Sequence, residues 1–292
     1  MENTQENSPE NAIDNEIGFL RNLCSELCKE DVNLPTLPDV ALRIKKVLSD
    51  PDCPTEKVCR VISAEPVVSA SLIKLANSAA FAPSTQPVTT LKIAITRVGY
   101  DIARNTAISV AIKNTFDPGK AKHLALHLKQ LWKHSLKVGA IAYVLPNKPR
   151  DITPDEAMLA GLVHDIGKFY ILMRADSNPA LFKNRATLDE LTALWHAGIG
   201  KVILETWGFT DEIVQATDEH ELLDDRSPRA ANLTDVVIVS NLLSHIGKNS
   251  PYRDIDYSTL PSFQRLGLDA EQIAKIMTHS KGQINAMIQA LS

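Results

Sequence analysis

Apolar residues along this chain recur at steps of three and four far more often than at steps of two. Ile13, Ile17, Leu20, Cys24 and Leu27 open the pattern, after a polar stretch over 1–10 that reads as a disordered lead-in. Leu34-Pro-Thr-Leu-Pro38 breaks that first helix, because proline lacks a donor and biases its predecessor toward extended backbone. Further helices are expected from about Pro38 to Ser49, from Pro54 toward Glu65-Pro66, and on through Val68, Leu72, Leu75 and Ala76. Two more are expected near 89–98 and 100–115, separated by Gly99. Asp117-Pro-Gly119 is the clearest internal boundary.

The second half keeps the same period. A long helix is expected over about 120–145, and Thr153-Pro-Asp-Glu opens one that ends at Gly167. Thr187-Leu-Asp-Glu190 has the form of a capping box, and the apolar row behind it runs to Gly208. Thr210 starts a short helix reaching about Glu221, residues 229–246 form a nearly all-apolar helix, and two more follow Asp269. Residues 222–228 and 247–262 read as loops. Val236-Val-Ile-Val239 alone could be a strand, but Leu242, Leu243 and Ile246 extend it as a buried helix. The expected architecture is all-α: a lead-in over 1–10, an N-terminal helical half over 11–118, and a helical bundle with C-terminal helices over 119–292.

Composition narrows this without redirecting it. Apolar residues make up 44%, charged residues 23% and aromatics only 5% of the 292 residues, a balance that suits packed helices better than sheets. The net charge of -4, from 31 basic and 35 acidic side chains, gives no electrostatic case for wrapping nucleic acid or lying on an anionic membrane. No apolar run approaches the ~20 residues needed to cross a bilayer. The N-terminus is polar and acidic, unlike a secretory signal. Cys24, Cys28, Cys53 and Cys59 contain no C-x-x-C pair and read as small buried hydrophobes. A cytoplasmic protein is expected.

The chemistry concentrates in the second half. His134, His164, His196 and His220 each lie on or beside the apolar stripe of a separate helix, and Asp165 adjoins one of them. Side chains so spaced project toward a shared interior. A single inward histidine is more often a hydrogen-bonded core residue than a ligand. Four from four helices weaken that reading, and buried imidazoles favour the neutral form that binds first-row metals. His123 and His127 stand four apart on the long helix, but without the glutamate of H-E-x-x-H. His245 and His279 read as surface or helix-end residues.

Ala160-Gly-Leu-Val-His-Asp-Ile-Gly-Lys168 resembles the central motif of the HD superfamily of metal-dependent phosphohydrolases, and Leu131-Trp-Lys-His-Ser-Leu-Lys-Val138 resembles its first-histidine helix. His196-Ala-Gly-Ile-Gly200, Trp207-Gly-Phe209 and Glu219-His220 follow in the order of HD-GYP and HDOD proteins. Leu34-Pro-Thr-Leu-Pro-Asp-Val-Ala-Leu42, Ile62-Ser-Ala-Glu-Pro66, Leu72-Ile-Lys-Leu-Ala-Asn-Ser78 and Thr89-Thr-Leu-Lys-Ile-Ala-Ile-Thr-Arg-Val-Gly99 resemble the HDOD (HD-related output domain) signature. The likeness covers roughly residues 33–247.

That resemblance implies an HD-like bundle packed with an N-terminal helical subdomain. It also implies one or two divalent ions (Fe, Mn, Zn, Mg or Ni), with Asp165 bridging His134 and His164 on one side and His196 and His220 on the other. Lys168 would sit near a phosphate, with Asp165 and Lys168 as the catalytic pair if the site is active. Asn241 stands where HD enzymes generally place a distal aspartate, so it is a candidate ligand or a satisfied core amide. After His220 the chain reads Glu-Leu-Leu-Asp-Asp-Arg226, without the Gly-Tyr-Pro element of the HD-GYP branch. The resemblance therefore implies a bacterial signalling or regulatory module with an undetermined signalling partner. The alternative is an active metal-dependent phosphohydrolase acting on a nucleotide or another phosphoester.

Overall fold

The computed structural model describes residues 18, 39–48, 53–81, 86–115, 121, 123–145, 149, 151–176, 185–247, 250, 252 and 255–291. The expected lead-in, the helix beginning at Ile13 apart from Gly18, Cys24 and Cys28, the Leu34–Pro38 break and the Asp117–Gly119 boundary lie outside them. The described residues are helices and loops, with no strand among them.

The N-terminal elements are α1 (Asp39–Leu48), α2 (Thr55–Ser63), α3 (Pro66–Ala76), α4 (Leu91–Val98) and α5 (Tyr100–Thr115). Pro54 is the cap before α2 and not its first residue, whereas Pro66 does occupy the first turn of α3. Thr90 caps α4 by accepting from the Ile93 amide. Buried Ile62, Leu72, Leu75, Ile95 and Ile108 form this part of the core.

The bundle that follows contains α6 (Ala125–Val144), α7 (Pro154–Val163), α8 (Ile166–Asp176), α9 (Arg185–Thr206), α10 (Asp211–Glu219) and α11 (Leu233–Ser244). The C-terminal elements are a 3-10 turn (Tyr257–Thr259), α12 (Pro261–Arg265), α13 (Ala270–His279) and α14 (Lys281–Leu291). The expected 247–262 loop therefore holds the 3-10 turn and the start of α12. α6 packs along α7, α9 lies between α8 and α10, and α11 covers α6, α7 and α10. α5 rests on α7, and α14 touches both α3 and α6, so both halves of the chain share packing surfaces.

Four expectations need correction. The helix opened by Thr153 does not run to Gly167: it stops at Val163, and α8 begins at Ile166. Thr187 is no cap, because α9 is already helical from Arg185. Reciprocal capping boxes occur instead at Asn232 with Asp235 and at Asp269 with Gln272, so the apolar helix starts at Leu233 and not near 229. His123 also precedes the long helix, so it and His127 do not form a helical pair.

Two glycines set how closely the bundle helices approach. A Cβ on Gly161 would come within 2.9 Å of the Gly139 backbone, which brings α7 onto α6. A Cβ on Gly167 would come within 2.0 Å of the His196 carbonyl oxygen, which brings α8 onto α9. Both contacts lie beside the histidine-bearing segments.

Candidate metal centre

The break between α7 and α8 falls at His164 and Asp165. His164 is the cap residue of α7, and Asp165 immediately precedes α8, where the positive end of the helix dipole favours a carboxylate. Both side chains are buried. His134 comes from α6, His196 from α9, and His220 from the end of α10.

The five side chains meet. Asp165 Oδ2 lies 3.6 Å from His134 Nε2 and 3.3 Å from His164 Nε2. Asp165 Oδ1 lies 3.6 Å from His196 Nε2 and 3.4 Å from His220 Nε2. Two sets result that could each hold a metal ion, His134–His164–Asp165 and Asp165–His196–His220, with the aspartate common to both.

The hydrogen bonds behind the rings show what kind of ligand fits. His164 Nδ1 lies 2.8 Å from the Gly161 carbonyl, His196 Nδ1 2.8 Å from the Thr192 carbonyl, and His220 Nδ1 2.7 Å from the Thr217 carbonyl. A carbonyl only accepts, so each Nδ1 carries the proton and donates. In the neutral ring the lone pair then sits on Nε2 and faces inward. His196 Nε2 and His220 Nε2 are 3.2 Å apart, so their two lone pairs point at one another and at a carboxylate. Such a set of acceptors repels itself unless a cation lies among them. His164 Nε2 and Asp165 Oδ2 are buried without a hydrogen-bond partner, as expected of metal-directed atoms. The carbonyl-oriented imidazoles have the outer-shell support typical of metal ligands.

The ionisation states agree with this. Burial pushes His134 down to about 3 and lowers His164 in the same direction, so both rings are neutral near pH 7. Burial opposes the charge on Asp165, but the Lys168 ammonium beside it outweighs this and holds the carboxyl well below the usual carboxylate range. Lys168, in the first turn of α8, places its Nζ 2.9 Å from Asp165 Oδ1.

Asn241 belongs to neither set. It is buried on α11, one turn before Ser244, whose hydroxyl lies 3.3 Å from His134 Nδ1. Its Oδ1 is buried without a hydrogen-bond partner.

Sequence reasoning missed three neighbours of the centre. His245 does cap α11, as a helix-end residue, but its ring centroid is 5.2 Å from that of His134 and 5.1 Å from that of Tyr252. Tyr252 donates its hydroxyl to Glu221 Oε2 at 3.3 Å. Glu221 Oε1 stands 3.5 Å from His196 Nε2 and 3.7 Å from Lys168 Nζ. The only available signal for Glu221 was its place next to His220. Tyr252, within a stretch read as loop, had none.

The fold and site define an all-helical protein that gathers four imidazoles around one buried aspartate. Residues 34–223 match the model of the HDOD domain, and the chain belongs to that family. It is 23% identical over 249 residues to an uncharacterized protein of Treponema pallidum (strain Nichols), covering 80% of this chain but 46% of that protein, so it spans about half that relative's length. Its fold is similar to a proposed metal-dependent phosphohydrolase from Shewanella amazonensis SB2B, with TM-score 0.77 and 23% identity over 96% of this chain and 100% of the other. It is also similar to an HDOD domain protein of unknown function from Geobacter sulfurreducens (TM-score 0.68, 22% identity, 96% and 99% covered). A proposed signal transduction protein from Marinobacter aquaeolei VT8 shares the fold at TM-score 0.58 and 20% identity, covering 95% of this chain and 66% of the other. Among the described residues, no helix is long and apolar enough to cross a membrane.

Proposed function

We propose that this protein is a cytoplasmic bacterial regulatory module, whose retained HD centre binds divalent metal and does not turn over phosphoesters. One observation carries the metal part: a buried carboxylate turns one oxygen toward His134 and His164 and the other toward His196 and His220. His134, His164 and Asp165 would hold one ion, with the Asn241 amide oxygen available from α11. Asp165, His196 and His220 would hold a second. The imidazole-rich set favours zinc, iron, manganese or nickel over magnesium. A bound ion supplies Lewis acidity; the chain itself supplies orientation through the Gly161, Thr192 and Thr217 carbonyls.

The surroundings favour regulation over hydrolysis. Lys168, the cation that would meet a phosphate, is already paired with Asp165 and faces Glu221. A cavity of about 690 Å³ reaches Glu221 and is lined by Glu219, Asp224 and Asp225 as well. Arg229 in the same lining is engaged by Asp225 and by buried Asp235. A polyanionic phosphoester entering there meets predominantly negative charge. The name of the Marinobacter protein and the output role implied by HDOD resemblance support a signalling protein as partner.

The test is a phosphoester and nucleotide panel run on metal-loaded protein beside a His164→Ala, Asp165→Ala double variant. The proposal expects retained metal in the wild type and no turnover above the variant. Turnover that vanishes in the variant would replace regulation with metal-dependent phosphohydrolysis.

A further inference from the structure

We infer that Glu221 is a fourth ligand, which closes the Asp165–His196–His220 set into a tetrahedral site and takes the position where water or a phosphate would otherwise bind. The inference rests on the metal-centre reading above and concerns a residue outside the set implied by HD resemblance.

Five of the six donor–donor edges lie near those of a tetrahedral shell. With metal–ligand distances near 2.0–2.1 Å for nitrogen and oxygen donors, the edges of a tetrahedral shell are about 3.3–3.4 Å. His196 Nε2 to His220 Nε2 is 3.2 Å. Asp165 Oδ1 lies 3.6 Å and 3.4 Å from those two nitrogens. Glu221 Oε1 lies 3.5 Å and 3.7 Å from the same nitrogens. Each donor atom belongs to a side chain fixed from behind. Carbonyls orient the two rings, Lys168 braces Asp165 Oδ1 at 2.9 Å, and Tyr252 holds Glu221 Oε2 at 3.3 Å, leaving Oε1 to face the rings. A glutamate with one oxygen tethered and the other aimed at two imidazole nitrogens has the arrangement of a ligand with its outer-shell support.

The chemical consequence follows from the open-position rule. Catalytic zinc sites keep one position for water or substrate, and sites filled by four protein ligands are structural. Glu221 makes this half of the centre closed. The backbone favours the placement, because Glu221 directly follows His220 in the turn that ends α10, where the Leu222 amide bonds the Glu219 carbonyl. The position is partly open to solvent, with the Glu221 side chain 40% exposed, so removing the carboxylate would admit an exogenous ligand.

The experiment uses this whole chain, tag-free, in a His134→Ala background, which leaves these four residues intact and reads one ion. Cobalt(II) reports coordination through its visible bands, and zinc affinity is read by competition with a chromophoric chelator. The parent should show the intense bands of four-coordinate cobalt, unchanged by inorganic phosphate. E221A and E221Q should weaken zinc by at least about tenfold. In E221A the bands should also weaken toward those of a hydrated ion, and phosphate should perturb them. Circular dichroism checks that the variants keep their helices. Equal affinity and equal spectra in parent and E221A would overturn the role of Glu221 while leaving the centre standing. Absence of cobalt and zinc binding in both the parent and the unmodified protein would overturn the centre itself, and this inference with it.

Discussion

At the scale of single residues, the centre works by keeping imidazoles neutral and one carboxylate charged. His134 protonates in the folded protein only at about 3, against an ordinary value of 6.5, because burial penalises its cation. The unfolded chain therefore binds more protons between those values, so stability rises with pH across that window. Metal-free protein should lose stability as pH falls from about 6.5 toward 3, and Asp165, held below the usual range, adds further loss at the acid end. Urea titrations at successive pH values check this; a midpoint that stays flat across the window would show that these imidazoles are not buried as neutral groups.

Asn241 gives a second residue-level prediction. Its unpartnered Oδ1 sits in the core near the His134 side of the centre, on the same face of α11 as Ser244. Asn241→Asp should tighten metal binding, since a carboxylate is the stronger ligand. With metal stripped, the same variant should lose several kcal/mol, because it adds an unpaired buried charge. Melting curves with and without a chelator read both effects, and a variant indifferent to the chelator would place Asn241 outside the centre.

At the scale of elements, helix spacing positions the ligands. Gly167→Ala would drive a methyl group into the His196 carbonyl, so α8 and α9 must separate. The cost should be about 1–3 kcal/mol or more, with weakened metal binding. Gly198→Ala is the control on the same helix: nothing lies within 4 Å of its added carbon, and alanine should stabilise by about 0.5–1 kcal/mol. Denaturant unfolding of the two variants should move in opposite directions. The element boundaries also show what sequence could not supply. The apolar row from Ala157 through Gly167 has no proline or capping signature at His164-Asp165, so it reads as one helix, yet the chain breaks there to turn both side chains inward. Thr187 matched a capping box by spacing alone, whereas Asn232 and Asp235 meet the same rule inside an apolar run.

For the whole molecule, the period of three and four residues sufficed for the all-helical class, and the order of motifs carried the family. Convergence was a different matter. His134, His196 and His220 lie on separate elements, and their meeting depends on glycine-mediated packing of α6 on α7 and of α8 on α9. Local periodicity states which way each side chain leans but not where the rods cross. Glu221 and Tyr252 escaped notice, and His245 read only as a surface or helix-end residue, for the same reason: their places come from neighbours distant in sequence.

The account depends most directly on metal content. Tag-free protein produced with manganese, iron or zinc supplied, then passed through gel filtration, should retain divalent metal by elemental analysis, and Asp165→Ala, which removes the carboxylate common to both sets, should retain none. Wild-type protein that leaves the column without metal, or an Asp165→Ala variant that keeps as much as the wild type, would contradict it.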